Sequence, residues 1–156
     1  MSDMKPILCV VDLAESCEKV LEAAVAAAKT GNLHVIILFV YRLIDRYKTD
    51  DVSTLKSEME TYAAERFRAL ETIISSQDIS YEFQVEIGFA ADRITSYIKR
   101  GLAGRVIMSA VQVSMLDDFK VLTLREFLTE TKTPFLVVPT GVATVEDRTV
   151  TKRAFI

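Results

Sequence analysis

The sequence predicts an α/β domain built as a doubly wound, five-stranded parallel sheet with helices on both faces. Three observations carry that prediction. Runs such as Lys5–Asp12 and His34–Tyr41 are apolar at nearly every position, as strands covered on both faces must be. Between the runs stand stretches whose apolar residues recur at helical spacing. The connections are short, and the resulting βαβαβαβαβ order is that of crossover units in one parallel sheet.

The elements follow in order. Lys5–Asp12 (KPILCVVD) is the first strand and ends on an acid. Ser16–Lys29 is a helix with Val20, Leu21, Ala24, Val25 and Ala28 as its apolar stripe, and Gly31 is its expected stop. His34–Tyr41 (HVIILFVY) is the second strand, rich in β-branched and aromatic residues. A polar connector over Arg42–Asp51 leads to a long helix from Ser53 to about Ser76, with Met59, Ala63, Phe67, Leu70 and Ile74 inward. Ile79–Glu86 alternates, placing Ile79, Tyr81, Phe83 and Val85 on one side, which fits an edge strand with one wetter face. Gly88 breaks it, and Ala90–Arg100 is a short helix carrying Ile94, Tyr97 and Ile98. Arg105–Ala110 is the fourth strand. A loop follows, then a helix over Val121–Glu130 with Leu124, Phe127 and Leu128 inward. Phe135–Val138 is the fifth strand, ended by Pro139 and Gly141. The expected domain spans residues 1–141, and 142–156 form a tail without a clear period.

Composition narrows the function. A chain of 156 residues suits one domain. A domain of that size buries roughly 70% of its unfolded surface and needs no staples. The net charge of −3 and the scattered basic residues argue against a nucleic-acid surface. No apolar run reaches the ~18 residues of a membrane helix, and the N-terminus has no signal-peptide pattern. Two cysteines, Cys9 and Cys17, make neither a disulfide framework nor a metal motif, so a cytoplasmic location is expected.

These landmarks, taken in order, resemble the universal stress protein family over residues 4–139. They are the first strand ending Val10-Val11-Asp12, the second ending Leu38-Phe39-Val40-Tyr41, and the long helix after a connector. Next comes Gly88-Phe89-Ala90-Ala91-Asp92-Arg93-Ile94, similar to the family's Gly-x-Pro-Ala-x-x-Ile turn but with Ala90 in place of the proline. The last are the strand Arg105–Met108 and the segment Thr133–Val138. The resemblance implies a Rossmann-like fold and a homodimer formed through the fifth strand, Phe135, Leu136, Val137 and Val138, paired antiparallel with its mate.

Nucleotide-binding members of that family carry Gly-x2-Gly-x9-Gly-Ser/Thr after the fourth strand and hold ATP phosphates there. This chain has no glycine between Gly104 and Gly141. Ser109 and Gln112 stand where the first two glycines would, and Leu122-Thr123 or Val121-Leu122 stand at the last pair, depending on the register. A Cβ at these positions restricts positive φ and keeps a triphosphate off the amides. Asp117 and Asp118 add like charge, each contact costing on the order of several kcal/mol at ~4 Å before screening. The expectation is a dimeric stress-response or regulatory domain of the class without tight ATP binding and without a cofactor. A vestigial nucleoside pocket would be lined by Val11, Asp12, Val40, Met108 and Ser109, the positions that the resemblance places around adenine and ribose. The alternative is a nucleotide-binding member with a remodelled loop, taking AMP or ATP with Mg²⁺ through Asp12, Met108 and Ser109, with Lys120 or Arg125 on phosphate.

Catalytic parts are not evident. A phosphorelay receiver would need paired acids after the first strand and a lysine after the fifth, and a dinucleotide fold would need Gly-x-Gly-x-x-Gly after the first strand. Neither pattern is present. The one histidine, His34, reads as a solvated or capping residue, and nothing in the sequence pairs Ser109 or Ser114 with a base. No cluster has metal-ligand spacing. No catalytic or metal residue is therefore assigned, and enzymatic activity is not expected beyond a weak nucleotide hydrolysis. The tail, ending Ala154-Phe155-Ile156, is a second candidate surface for a protein partner.

Overall fold

The computed structural model describes residues 4–13, 17–42, 52–114, 116 and 118–139, with Val52 and residues 118–120 described by their backbone alone. The elements in chain order are β1 (Ile7–Val11), α1 (Cys17–Gly31), β2 (Val35–Tyr41), α2 (Val52–Ser75), β3 (Tyr81–Ile87), α3 (Ala90–Lys99), β4 (Arg105–Ser109), α4 (Ala110–Ser114), α5 (Asp118–Glu130) and β5 (Phe135–Val138). The sheet has the order β3-β2-β1-β4-β5, and every pairing is parallel. The doubly wound prediction therefore holds. The tail and the connector 43–51 lie outside the described residues, as do the side chains of Asp117, Asp118 and Lys120.

The period of two along each strand sorts its residues between two cores. Ile7, Cys9 and Val11 of β1, with Val35, Ile37, Phe39 and Tyr41 of β2, pack under α1 and α2. Leu8 and Val10, with Ile36 and Leu38, pack under α3 and α5 together with Val106, Met108, Ile94 and Tyr97. The uninterrupted apolar runs reflect burial on both faces. The edge strand β3 alternates as expected: Tyr81, Phe83 and Val85 join the first core, where Phe83 stacks on Phe67 of α2 at 4.3 Å. Its other face presents Glu82, Gln84 and Glu86.

Two expectations are corrected. The stop after α1 falls one residue later than predicted: Gly31 is still helical, and Asn32 takes the left-handed conformation with φ 55. Asparagine tolerates that region because its short polar side chain can bond locally. The stretch after β4 is not a simple loop. It forms α4, and α5 begins at Asp118 rather than Val121. Residues with a Cβ settle into right-handed helical backbone where glycines would have allowed an open turn.

His34 is more engaged than a solvated residue. Its Nδ1 lies 2.8 Å from Ser80 Oγ and its Nε2 lies 2.8 Å from Glu82 Oε1, tying the start of β2 to β3. The bond from His34, followed by one from the Gln84 amide, holds the Glu82 carboxyl below the usual carboxylate range. This contribution is complete above the ordinary carboxylate pKa and fades as pH falls through the depressed one. Both side chains are partly solvated, 32% and 44% exposed, so it amounts to less than about 1 kcal/mol. His34→Ala is expected to move the Glu82 titration midpoint upward in a carboxyl NMR titration; an unmoved midpoint would refute the assignment.

Candidate functional site

A cavity of about 320 Å³ opens beyond the carboxyl ends of β1, β2 and β4, where ligands sit in open parallel sheets. Strand order reverses between β1 and β4, and the helices that follow them, α1 and α5, cover opposite faces of the sheet, which leaves the crevice. Val11, Val40 and Met108 form its floor, and Asp12 stands at the end of β1. Four of the five predicted pocket residues thus come together. Ser109 does not line the cavity. It is buried, and its hydroxyl accepts the Gln112 N–H at 3.0 Å, as an N-cap of α4.

Among the other lining residues, three that sequence reasoning did not assign set the chemistry of the walls. Phe89, 43% exposed, stands at the β3–α3 turn, with the Arg42 guanidinium 4.3 Å from its ring centroid. Cation and ring approach from separate connectors, so no local pattern announces the pair. Gln112 of α4 also faces the cavity, and its Oε1 is buried with no hydrogen-bond partner among the described residues. A buried amide oxygen in that state favours an occupant that donates a hydrogen bond.

The turns that shape the mouth are conformationally special. Gly88 has φ 138, a value that side chains rarely adopt, and its N–H binds the Tyr41 carbonyl at 2.8 Å. A Cβ there would have room, its nearest neighbour being Arg93 Nε at 3.8 Å, so the demand for glycine comes from the backbone. Leu13, directly after Asp12, has φ 63 while its side chain is fully buried. The Arg66 guanidinium from α2 clasps its carbonyl through Nε at 3.3 Å and Nη2 at 2.9 Å.

Acid–base and nucleophilic groups near the site are muted. Burial, then the charge of Asp12, pushes the Cys17 thiol up to about 11, and burial raises Cys9 further. Both thiols therefore stay protonated at neutral pH, the inert form. The linked Ser80, His34 and Glu82 line neither this cavity nor the one at the opposite end of the sheet. Among the described residues, no group of three or more His, Cys, Asp or Glu is placed to hold a metal ion. Arg125 lies 5.7 Å from the Phe135 ring centroid and does not line the cavity. At the sheet edge, Leu136 is 47% exposed while Phe135, Val137 and Val138 are half-buried. No helix among the described residues is long and apolar enough to cross a membrane.

Comparison with known proteins places this architecture. A universal stress protein from Burkholderia pseudomallei is similar in fold, with TM-score 0.64 at 15% identity over 89% of this chain and 98% of that one. A universal stress protein crystallised with cAMP gives TM-score 0.61 at 16% identity, covering 88% and 98% of the two chains. The Archaeoglobus fulgidus universal stress protein in complex with dAMP gives 0.58 at 16%, covering 86% and 97%. Comparison with curated proteins finds no match. The model of the universal stress protein family matches residues 4–139, which span every described strand and helix, and the chain belongs to that family.

Proposed function

We propose that this protein is a dimeric stress-response or regulatory domain that does not hold ATP tightly. The observation that carries the reading is α4. Where nucleotide-binding relatives would offer bare glycine amides, the backbone here is helical and the Gln112 N–H is already bound to the buried Ser109 hydroxyl. Phosphate would have to displace that cap and approach past side chains. The apolar edge strand β5 supports dimerisation, because such an edge is a liability when unpaired.

The cavity favours a second reading for a smaller ligand. The nucleoside end remains open, with Val11, Asp12, Val40 and Met108 lining it and an acceptor at Gln112 that has no partner among the described residues. Two similar structures hold cAMP and dAMP. A compact nucleoside monophosphate therefore suits the space better than a triphosphate.

Thermal shift with ATP, ADP, AMP and adenosine, each with and without Mg²⁺, separates the readings. A ligand at one hundred times its Kd stabilises the fold by about 2.7 kcal/mol. The expected result is no added stabilisation by ATP over AMP or adenosine. A large Mg²⁺-dependent shift specific to ATP would overturn the proposal.

A further inference from the structure

The amino-terminal end of the sheet carries a second cavity, larger than the first at about 510 Å³. Among the described residues, its charged lining consists of Lys5, Arg105 and Lys132, with no carboxylate. That is an unusual local balance in a chain whose acids outnumber its bases, 22 to 19. Among the described residues, none of the three cations takes part in an ion pair.

The three cations sit on a rigid base. Lys5 precedes β1, Arg105 begins β4, and Lys132 lies just before β5. Gly104 N–H binds the Pro6 carbonyl at 2.9 Å, and Val106 N–H binds the Pro134 carbonyl at 2.9 Å, so the three strand starts are laced together. A Cβ on Gly104 would meet Lys5 Cβ at 3.0 Å; the bare glycine is what lets the first two segments approach. Lys132 holds a left-handed backbone with φ 55 in the turn closing α5, where Thr133 N–H reaches the Leu128 carbonyl at 2.8 Å. Thr131 and Thr133, with hydroxyls 2.7 Å apart, add polar atoms to the wall.

Helix carboxyl ends attract cations, and Lys132 partly answers that of α5. Lys5 and Arg105 are not on helices, so the dipole does not explain them. Three like charges facing one concavity are most stable when an anion lies between them. We propose that this cavity binds a small polyanion carrying two or more negative charges, of the diphosphate type, independently of the carboxyl-end cavity.

Pyrophosphate is the probe, titrated at low ionic strength into the full chain by calorimetry and by amide NMR, with sulfate as a charge-only comparison. The expected result is saturable binding, tighter than sulfate, with shifts centred on Gly104, Arg105, Lys132 and Thr133. Lys5→Gln and Lys132→Asn together should weaken it at least tenfold. Asparagine suits the left-handed backbone, and both side chains are exposed, so the variant should fold. Lys29→Ala, on another surface, should change nothing. Absent saturation at millimolar pyrophosphate, diffuse shifts, or an equal loss in Lys29→Ala would overturn the proposal. A thermal shift that ATP shares with pyrophosphate and the double variant loses belongs here; one that adenosine shares belongs to the carboxyl-end cavity.

Discussion

Leu13→Ala is expected to lower the unfolding free energy by about 2–5 kcal/mol, the range for truncating a fully buried leucine. The left-handed backbone adds nothing to that difference, because leucine and alanine both carry a Cβ there and bear the same cost. A left-handed conformation costs a residue with a Cβ roughly 1–2 kcal/mol, and alanine at φ 63 still incurs it. The second restraint on the turn is Arg66, whose two bonds to the Leu13 carbonyl are charge-assisted. Arg66→Ala should cost about 1–2 kcal/mol, less than a deeply buried loss because water can reach the exposed guanidinium position. Arg66→Lys should recover part of it. Urea denaturation of the three variants checks the ordering. If Leu13→Ala were milder than Arg66→Ala, burial would not be what holds the turn. Because Asp12 precedes Leu13, both changes should also weaken any ligand of the carboxyl-end cavity.

Leu136→Lys should convert the proposed β5-paired homodimer into a folded monomer. On one side β5 pairs in parallel with β4 through Val106↔Phe135, Ile107↔Leu136, Met108↔Val137 and Ser109↔Val138. The opposite side is the edge of the sheet. Proteins guard such edges with lysine because a charge cannot be buried in a second copy's matching strand without a partner. With 47% of Leu136 already exposed, the substitution should cost the isolated fold well under about 1 kcal/mol. Sedimentation or light scattering reads the outcome as a halved mass with unchanged circular dichroism. A variant that remained dimeric would move the interface away from β5.

What the sequence disclosed follows from the range of the physics involved. Val11, Val40 and Met108 were legible because continuous apolar runs identify central strands, and their last residues necessarily reach the carboxyl end of a parallel sheet. Asp12 was legible as the acid closing such a run. Gln112 was hidden: a helix of five residues, Ala110–Ser114, is too short to display helical periodicity. Arg42 and Phe89 were hidden because they belong to different connectors and meet only in space. The Ser109 placement failed for a different reason. Position in the fold was right, but the hydroxyl turned to the local Gln112 amide, a competition that serine often wins at a helix start. The His34–Ser80–Glu82 tie was likewise spatial, since strand pairing brings distant segments into register.

The partition of strand residues between two cores has a consequence at the carboxyl-end cavity. Val11 and Phe39 on its walls belong to the α1–α2 layer, whereas Val40, Ala91, Met108 and Leu116 belong to the α3–α5 layer. The sheet separates these layers like a septum, and the cavity is a window at its rim. A molecule seated there touches both compartments at once, so its binding energy is shared between two packing units that otherwise communicate through the strands. Occupancy would act as a rivet, making the two halves open together in hydrogen exchange where the empty protein could let one loosen before the other.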